Sequence, residues 1–130
     1  MMHIDASAIV AILANEADRK ELLGKLDRAE HRSTSAVSVF EAALALARAT
    51  GSSVSALSEV NLEIASVDVE VVDASILPEA TIARDLYGKG TGRRARLNMG
   101  DCFSYAFAKR AGVPLLCKGN DFIHTDLAIA

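Results

Sequence analysis

The chain has 130 residues, 51% hydrophobic and 24% charged, with 5% aromatic and 2 Pro. That is the length of a single domain, residues 1–130, with enough chain for a core and a composition too apolar for a disordered protein. The 17 acids and 14 bases leave a net charge of −3, which argues only weakly against a nucleic-acid partner, because four acids given to metal ions leave 13 against 14.

The opening MMHIDASAIVAILANE has no basic region and carries Asp5 inside its apolar run. No signal peptide is expected there, and no apolar run reaches membrane-spanning length, so no membrane partner is expected. MHIDA reads as a first strand ending in Asp5. SAIVAILANE follows with helical spacing, Ile9, Ile12 and Leu13 sharing a face. ADRKELLGKLDRAE is an amphipathic helix with Leu22, Leu23 and Leu26 inward, and HRSTS is a short second strand. AVSVFEAALALARATG is a helix closed by Gly51, a residue suited to the left-handed cap. The next helix, SVSALSEVNLEIASVD, has Leu57, Val60 and Ile64 in step. A third strand is expected at Val69–Asp73, then a helix with Pro78 early in it and a glycine at its end. GKGTGRRARLN is a glycine-rich basic loop. MGDCFSYAFAKRAG is a helix closed by Gly112, VPLLCK a fourth strand, and GNDFIHTDLAIA a turn and tail. Strands alternate with helices throughout, which predicts a parallel α/β sheet covered on both faces.

The cysteines, Cys102 and Cys117, lack a CxxC spacing, and His3, His31 and His124 are scattered. Neither a zinc pattern nor a disulfide framework results, which suits a reducing cytoplasm. The acids carry more information. Ligands of open α/β sheets sit beyond the carboxyl ends of the strands. Asp5 ends the first strand, Asp121 follows the fourth, Asp101 opens the helix that feeds the fourth, and Glu41 lies early in the helix after the second. Singly, Asp5 and Asp101 suit helix caps and Asp121 a turn. Glu41 has apolar helical neighbours, Val37, Phe40, Leu44 and Ala45, and no base three or four residues away. It either reaches water at the edge of that stripe or faces a cleft shared with the other acids. Gathered at one rim, four carboxylates suit hard divalent ions, Mg²⁺ or Mn²⁺, and through them hydrolysis of a phosphodiester by an activated water.

The pieces IDASAIVAILANE, SAVSVFEAALAL, LNMGDCFSYAFAKRAGVPLLCKGNDF and HTDL follow one another from end to end of the chain. Taken together they resemble the PIN-domain ribonucleases, and among these the VapC toxins of type II toxin–antitoxin systems; the third piece is the specific one. The resemblance implies a three-layer α/β/α PIN-like domain around a small parallel sheet of four or five strands. It implies a metal-dependent endoribonuclease acting on RNA, inhibited by a cognate VapB-like antitoxin and assembled as a homodimer. The family's acidic set falls on Asp5, Glu41, Asp101 and Asp121. Asp5 and Asp101 are expected to hold the metal directly, Glu41 and Asp121 directly or through water, with Asp126 as an outer acid. Ser7 corresponds to the family's hydroxyl near the metal, while Ala6 stands where many relatives have Thr.

The basic loop fails as a phosphate-binding P-loop: no glycine lies five residues before Gly88, and Lys89 is not followed by Ser or Thr. It is either a solvated loop or a grip on RNA phosphates through Lys89, Arg93, Arg94 and Arg96. Lys118 is a further phosphate contact or a solvated strand-end lysine. Rival readings are a nuclease acting on structured DNA, a non-catalytic module with the same fold, and a phosphatase of another α/β fold. The last needs a second acid two residues after the first, and Ser7 stands there.

Overall fold

In the computed structural model, which describes residues 1–130, four short strands form one parallel sheet in the order β3-β2-β1-β4. These are β1 (Met2–Ile4), β2 (Arg32–Ser35), β3 (Asp68–Glu70) and β4 (Leu115–Leu116). The central β1 is in register with β2 through His3↔Ser33 and with β4 through His3↔Leu115. The chain therefore reverses its strand order beside β1, which is where sheets of this kind leave a crevice beyond the strand ends.

Alternation along the strands sorts the two faces. Met2, Ile4 and Leu116 belong to a core shared with helices α1 (Ala6–Leu13), α2 (Arg19–Arg28), α3 (Ala36–Thr50) and α4 (Ser53–Glu63). Leu115 faces the other way, into a core with α5 (Leu77–Tyr87) and α6 (Met99–Ala111). His3 also turns to that side, its ring stacked on Phe107 of α6 at 5.6 Å. The result is an α/β three-layer domain. No helix is long and apolar enough to cross a membrane.

Local chemistry sets most boundaries. Ser35, Ser52 and Asn98 cap α3, α4 and α6 through their side chains. Gly51 and Gly112 end α3 and α6 with φ of 77° and 65°, the left-handed geometry that glycine tolerates. Two expectations shift. The third strand was placed at Val69–Asp73, but the sheet holds only Asp68–Glu70. As an edge strand it has no outer neighbour, and Val71 leaves it 78% exposed on the way to Asp73, which caps a 3-10 turn at Ala74–Ile76. Leu57 is 39% exposed, since α4 buries the stripe through Ala56, Val60 and Ile64 instead.

The tail supplies what a fifth strand would. Leu115 N–H donates to the Ala128 carbonyl and Ala130 N–H to the Leu115 carbonyl, both at 2.9 Å. This pairing covers the outer edge of β4, which would otherwise present unpaired backbone.

Candidate active site

Asp5 sits where β1 becomes α1. Its N–H donates to the Leu116 carbonyl at 2.9 Å, joining the ends of β1 and β4. Its side chain is 3% exposed and accepts three hydrogen bonds. Oδ2 takes the Ser7 N–H at 3.0 Å and the Ser7 hydroxyl at 2.6 Å, and Oδ1 takes the Ser104 hydroxyl at 2.6 Å. So Asp5 does cap α1, and it is also anchored to α6. The Ser7 oxygen accepts the Lys118 N–H at 2.9 Å, which stitches the chain after β4 to the first turn of α1.

Glu41 is half-buried on α3, with its carboxylate against Gly100 in the first turn of α6. A Cβ at position 100 would collide with that carboxylate, so the close approach depends on glycine. Burial first, then repulsion from Asp5 and Asp101, pushes the Glu41 carboxyl up to about 7. Of its apolar helical neighbours, Phe40 and Leu44 are themselves exposed, at 61% and 44%. Glu41 thus stands at the rim and not in the core.

Asp101 forms a capping box with Asn98: its carboxylate accepts the Asn98 N–H at 3.0 Å, and its own N–H donates to Asn98 Oδ1 at 2.8 Å. Burial raises its carboxyl to about 6, the Asn98 N–H partly opposes this, and the charges of Asp5 and Asp121 add to it. Asp121 is exposed beside the 3-10 turn Phe122–His124 and makes no side-chain hydrogen bond there. Cys117, between β4 and Lys118, feels the same field. Burial, Asp5 and Asp101 push its thiol up to about 12.

The four acids therefore act on one another at the carboxyl end of the sheet, and no basic side chain neutralises them. Every salt bridge lies elsewhere: Lys25–Glu21, Lys109–Asp126, Arg110–Glu79, and Lys118 with Glu16 and Asp18. The acids line a rim and do not converge: no three Asp, Glu, His or Cys side chains meet closely enough to hold one ion as they stand. As a donor set they suit a hard divalent cation, being all carboxylate oxygen with like charges already held together. Two surface hollows, about 400 Å³ beside His3 and about 430 Å³ between α5 and α6, contain none of them.

Two sequence expectations are corrected. Asp126, expected as an outer acid, is not at the rim. It accepts from the Tyr105 hydroxyl and the Lys109 ammonium, both at 2.6 Å, and these hold its carboxyl below the usual range. Lys109 lies two turns beyond Asp101, about 12 Å along α6 at 1.5 Å per residue. Lys118 is exposed, as a solvated strand-end lysine is, but its ammonium is not free for a phosphate: it contacts Glu16 at 2.6 Å and Asp18 at 3.3 Å, and no acid of the rim. Arg93, Arg94 and Arg96 are exposed and free of salt bridges, which suits a solvated loop and a grip on phosphates alike. Their loop is closed at its base by Lys89 N–H on the Leu97 carbonyl and Leu97 N–H on the Tyr87 carbonyl, and it delivers the chain to Asn98 and Asp101. Sequence reasoning missed Gly100, Ser38 and Ser104. The available signal was spacing, because Ser38 precedes Glu41 and Ser104 follows Asp101 by three residues, which places each pair on one helix face.

Residues 2–127 match the family model for the PIN domain. Ribonuclease VapC42 of Mycobacterium tuberculosis is 40% identical over 126 residues, covering 97% of this chain and 96% of that one. Two solved structures share the fold. The first is VapC20 of Mycobacterium tuberculosis, described as a sarcin-ricin loop cleaving toxin, with a TM-score of 0.80 at 18% identity over 100% of this chain and 98% of that one. The second belongs to a toxin–antitoxin complex from Klebsiella pneumoniae, with a TM-score of 0.75 at 11% identity over 100% and 97%.

Proposed function

Because the chain belongs to the PIN-domain family, and within it to the VapC ribonuclease toxins, we propose that it is an endoribonuclease whose acidic rim holds Mg²⁺ or Mn²⁺. The observation that carries this reading is the rim itself: Asp5, Glu41, Asp101 and Asp121 come from four separate segments, with no base among them, and burial together with the neighbouring acidic charges pushes up the carboxyls of Glu41 and Asp101. Asp5 and Asp101 would hold the cation directly, and Glu41 and Asp121 would complete the set directly or through water. When bound, such an ion supplies Lewis acidity at a phosphoryl oxygen and makes water a competent nucleophile near neutral pH.

The chain's own residues orient the parts. Ser7 and Ser104 fix the Asp5 carboxylate from opposite sides. The capping box fixes Asp101 at the start of α6. Gly100 lets Glu41 approach. Arg93, Arg94 and Arg96 attract the phosphates of an RNA strand that the acids alone would repel. A cognate antitoxin of the VapB kind and a second copy of the chain are the protein partners of this reading, and the Klebsiella pneumoniae complex supports the first by its fold.

The test is RNA cleavage by antitoxin-free protein with Mg²⁺ or Mn²⁺, with and without EDTA, alongside Asp5→Asn and Asp101→Asn. Cleavage is expected only with the metal and in neither variant. Full activity in both variants refutes the assigned site, and preference for duplex DNA over RNA refutes the substrate.

A further inference from the structure

We propose that Ser104 and Ser38 are positioning residues for the acidic rim: a buried line of hydroxyls, Ser35–Ser38–Ser104, ends on Asp5 Oδ1 and sets that carboxylate between the helices carrying Glu41 and Asp101. The inference rests on the acidic rim being a cation site.

Ser35, Ser38 and Ser104 are each 0% exposed, so their hydroxyls cannot be satisfied by bulk water. The links are Ser35 to Ser38 at 3.3 Å, Ser38 to Ser104 at 3.2 Å and Ser104 to Asp5 Oδ1 at 2.6 Å. A hydroxyl has one proton to donate, and an ionised carboxylate only accepts. Ser104 therefore gives its proton to Asp5, Ser38 must donate to Ser104, and Ser35 to Ser38. The line has one direction, toward the charge. Its last link has the length of a charge-assisted O–H···O⁻ bond, and the two behind it are longer and weaker.

The count at Asp5 shows what this achieves. Oδ2 already accepts two hydrogen bonds, both from Ser7, whereas Oδ1 accepts only the one from Ser104. Oδ1 thus keeps acceptor capacity, and Ser104 holds the oxygen that has it. The position of the line adds a second effect. Ser38 stands one turn before Glu41 on α3, and Ser104 one turn after Asp101 on α6. Where the two helices meet, the Ser38–Ser104 bond spans the contact, so the same bonds that orient Asp5 set its distance from both other acids. A buried carboxylate held beside like charges otherwise turns away from them or takes up a proton.

The experiment is Mn²⁺ binding by antitoxin-free protein, followed by calorimetry and by the paramagnetic resonance of free Mn²⁺, with melting temperatures recorded in EDTA. Removing an outer partner of a metal ligand typically weakens metal affinity about 10–100-fold. Ser104→Ala is expected to fall in that range, Ser38→Ala to lose only about 2–3-fold because the direct bond to Asp5 survives, and Ser104→Thr to regain most of the loss. Wild-type affinity in Ser104→Ala overturns the proposal, as does a Ser104→Thr variant that binds no better than Ser104→Ala. Should Ser104→Ala not fold, Ser104→Cys, nearly isosteric but a weak donor, replaces it with the same expected loss, and wild-type affinity there overturns the proposal equally. Asp5→Asn separates the two levels: if it binds Mn²⁺ as wild type does, the rim is no cation site and both readings fall. If it loses Mn²⁺ while Ser104→Ala keeps it, only the positioning role falls.

Discussion

The two ends of α6 hold the same residue type in opposite circumstances. At its start, Asp101 faces Asp5 and Asp121, and burial and repulsion raise its carboxyl to about 6. Near its far end, Asp126 lies between the Lys109 ammonium and the Tyr105 hydroxyl, which lower its carboxyl. The second arrangement is complete in itself, since every charge has a partner within the chain. The first is incomplete, since like charges held together destabilise a fold unless a cation joins them. An aspartate's partners, more than its presence in a motif, separate a group that ties down a tail from one left without a partner inside the chain.

The largest effect comes from exchanging one acid at each end. Asp101→Asn should lower metal-dependent RNA cleavage more than about 100-fold, beyond the usual loss for outer partners of a metal. Asp126→Asn should leave cleavage within a few-fold of wild type and lower the melting temperature instead. Initial rates and thermal melts of the two variants side by side check this. Comparable loss of cleavage in both would erase the distinction between the two ends.

Next is Gly100→Ala. Alanine is a better helix former than glycine by roughly 0.5–1 kcal/mol, so taken alone the change should stabilise α6. Its Cβ, however, would occupy the space of the Glu41 carboxylate. Displacing a group at a reacting centre by about 1 Å can cost about 100-fold, and cleavage should fall by up to that amount. The cause is isolated by a cycle: in a Glu41→Ala background, Gly100→Ala should cost nothing more. An equal loss in both backgrounds would show that the helix, and not Glu41, is what suffers.

Much of this arrangement could be read from the sequence, for a physical reason that also explains what could not. Asp5 and Asp101 open helices directly after or before strands, so strand order alone puts them at one edge. Glu41 was conspicuous as an acid among apolar neighbours without a base in reach. Gly100, Ser38 and Ser104 matter only because α3 meets α6 where it does, and that meeting is set by long-range packing. Asp126 was misplaced because its five-residue distance from Asp121 says nothing about which end of α6 the tail returns to. The third strand was drawn too far because Val71 and Val72 continue an apolar run that the sheet, lacking an outer neighbour there, does not use.

The proton affinities give a smaller but sharper contrast. Without metal, the raised carboxyls of Glu41, to about 7, and Asp101, to about 6, bind more protons in the folded chain than in the unfolded chain from about pH 4.5 to 7, and outweigh the single opposing group in that window, His3, which burial lowers to about 4. Stability should therefore fall as pH rises through that window. Asp126, with its lowered carboxyl, acts in the opposite sense, its contribution being lost only as pH falls below the ordinary carboxylate range. In EDTA the melting temperature should drop between pH 5 and pH 8. At pH 8, Mg²⁺ at 100 times its dissociation constant should restore about 2.7 kcal/mol. A melting temperature that rises from pH 5 to pH 8 in EDTA would mean that burial and repulsion together do not raise the rim carboxyls.

Tyr105→Phe is the mildest change and examines the complete end alone. The ring is 3% exposed and packs near Tyr87 at 5.6 Å between centroids, so phenylalanine keeps the burial and loses only the hydroxyl. That hydroxyl donates to Asp126 at 2.6 Å, and hydrogen bonds to charged groups contribute about 1.5–3 kcal/mol. Asp126 retains Lys109 and is partly exposed, so water replaces much of what is lost and about 1 kcal/mol should remain, a few degrees in melting temperature. Because the group stabilised is ionised Asp126, the difference from wild type should shrink as pH falls through the folded carboxyl's lowered range. Cleavage and Mn²⁺ affinity should not change, since neither Tyr105 nor Asp126 reaches the rim. A variant that melts like wild type yet binds Mn²⁺ more weakly would place the Tyr105–Asp126 pair in the acidic site after all, and the two ends of α6 would have to be treated as one.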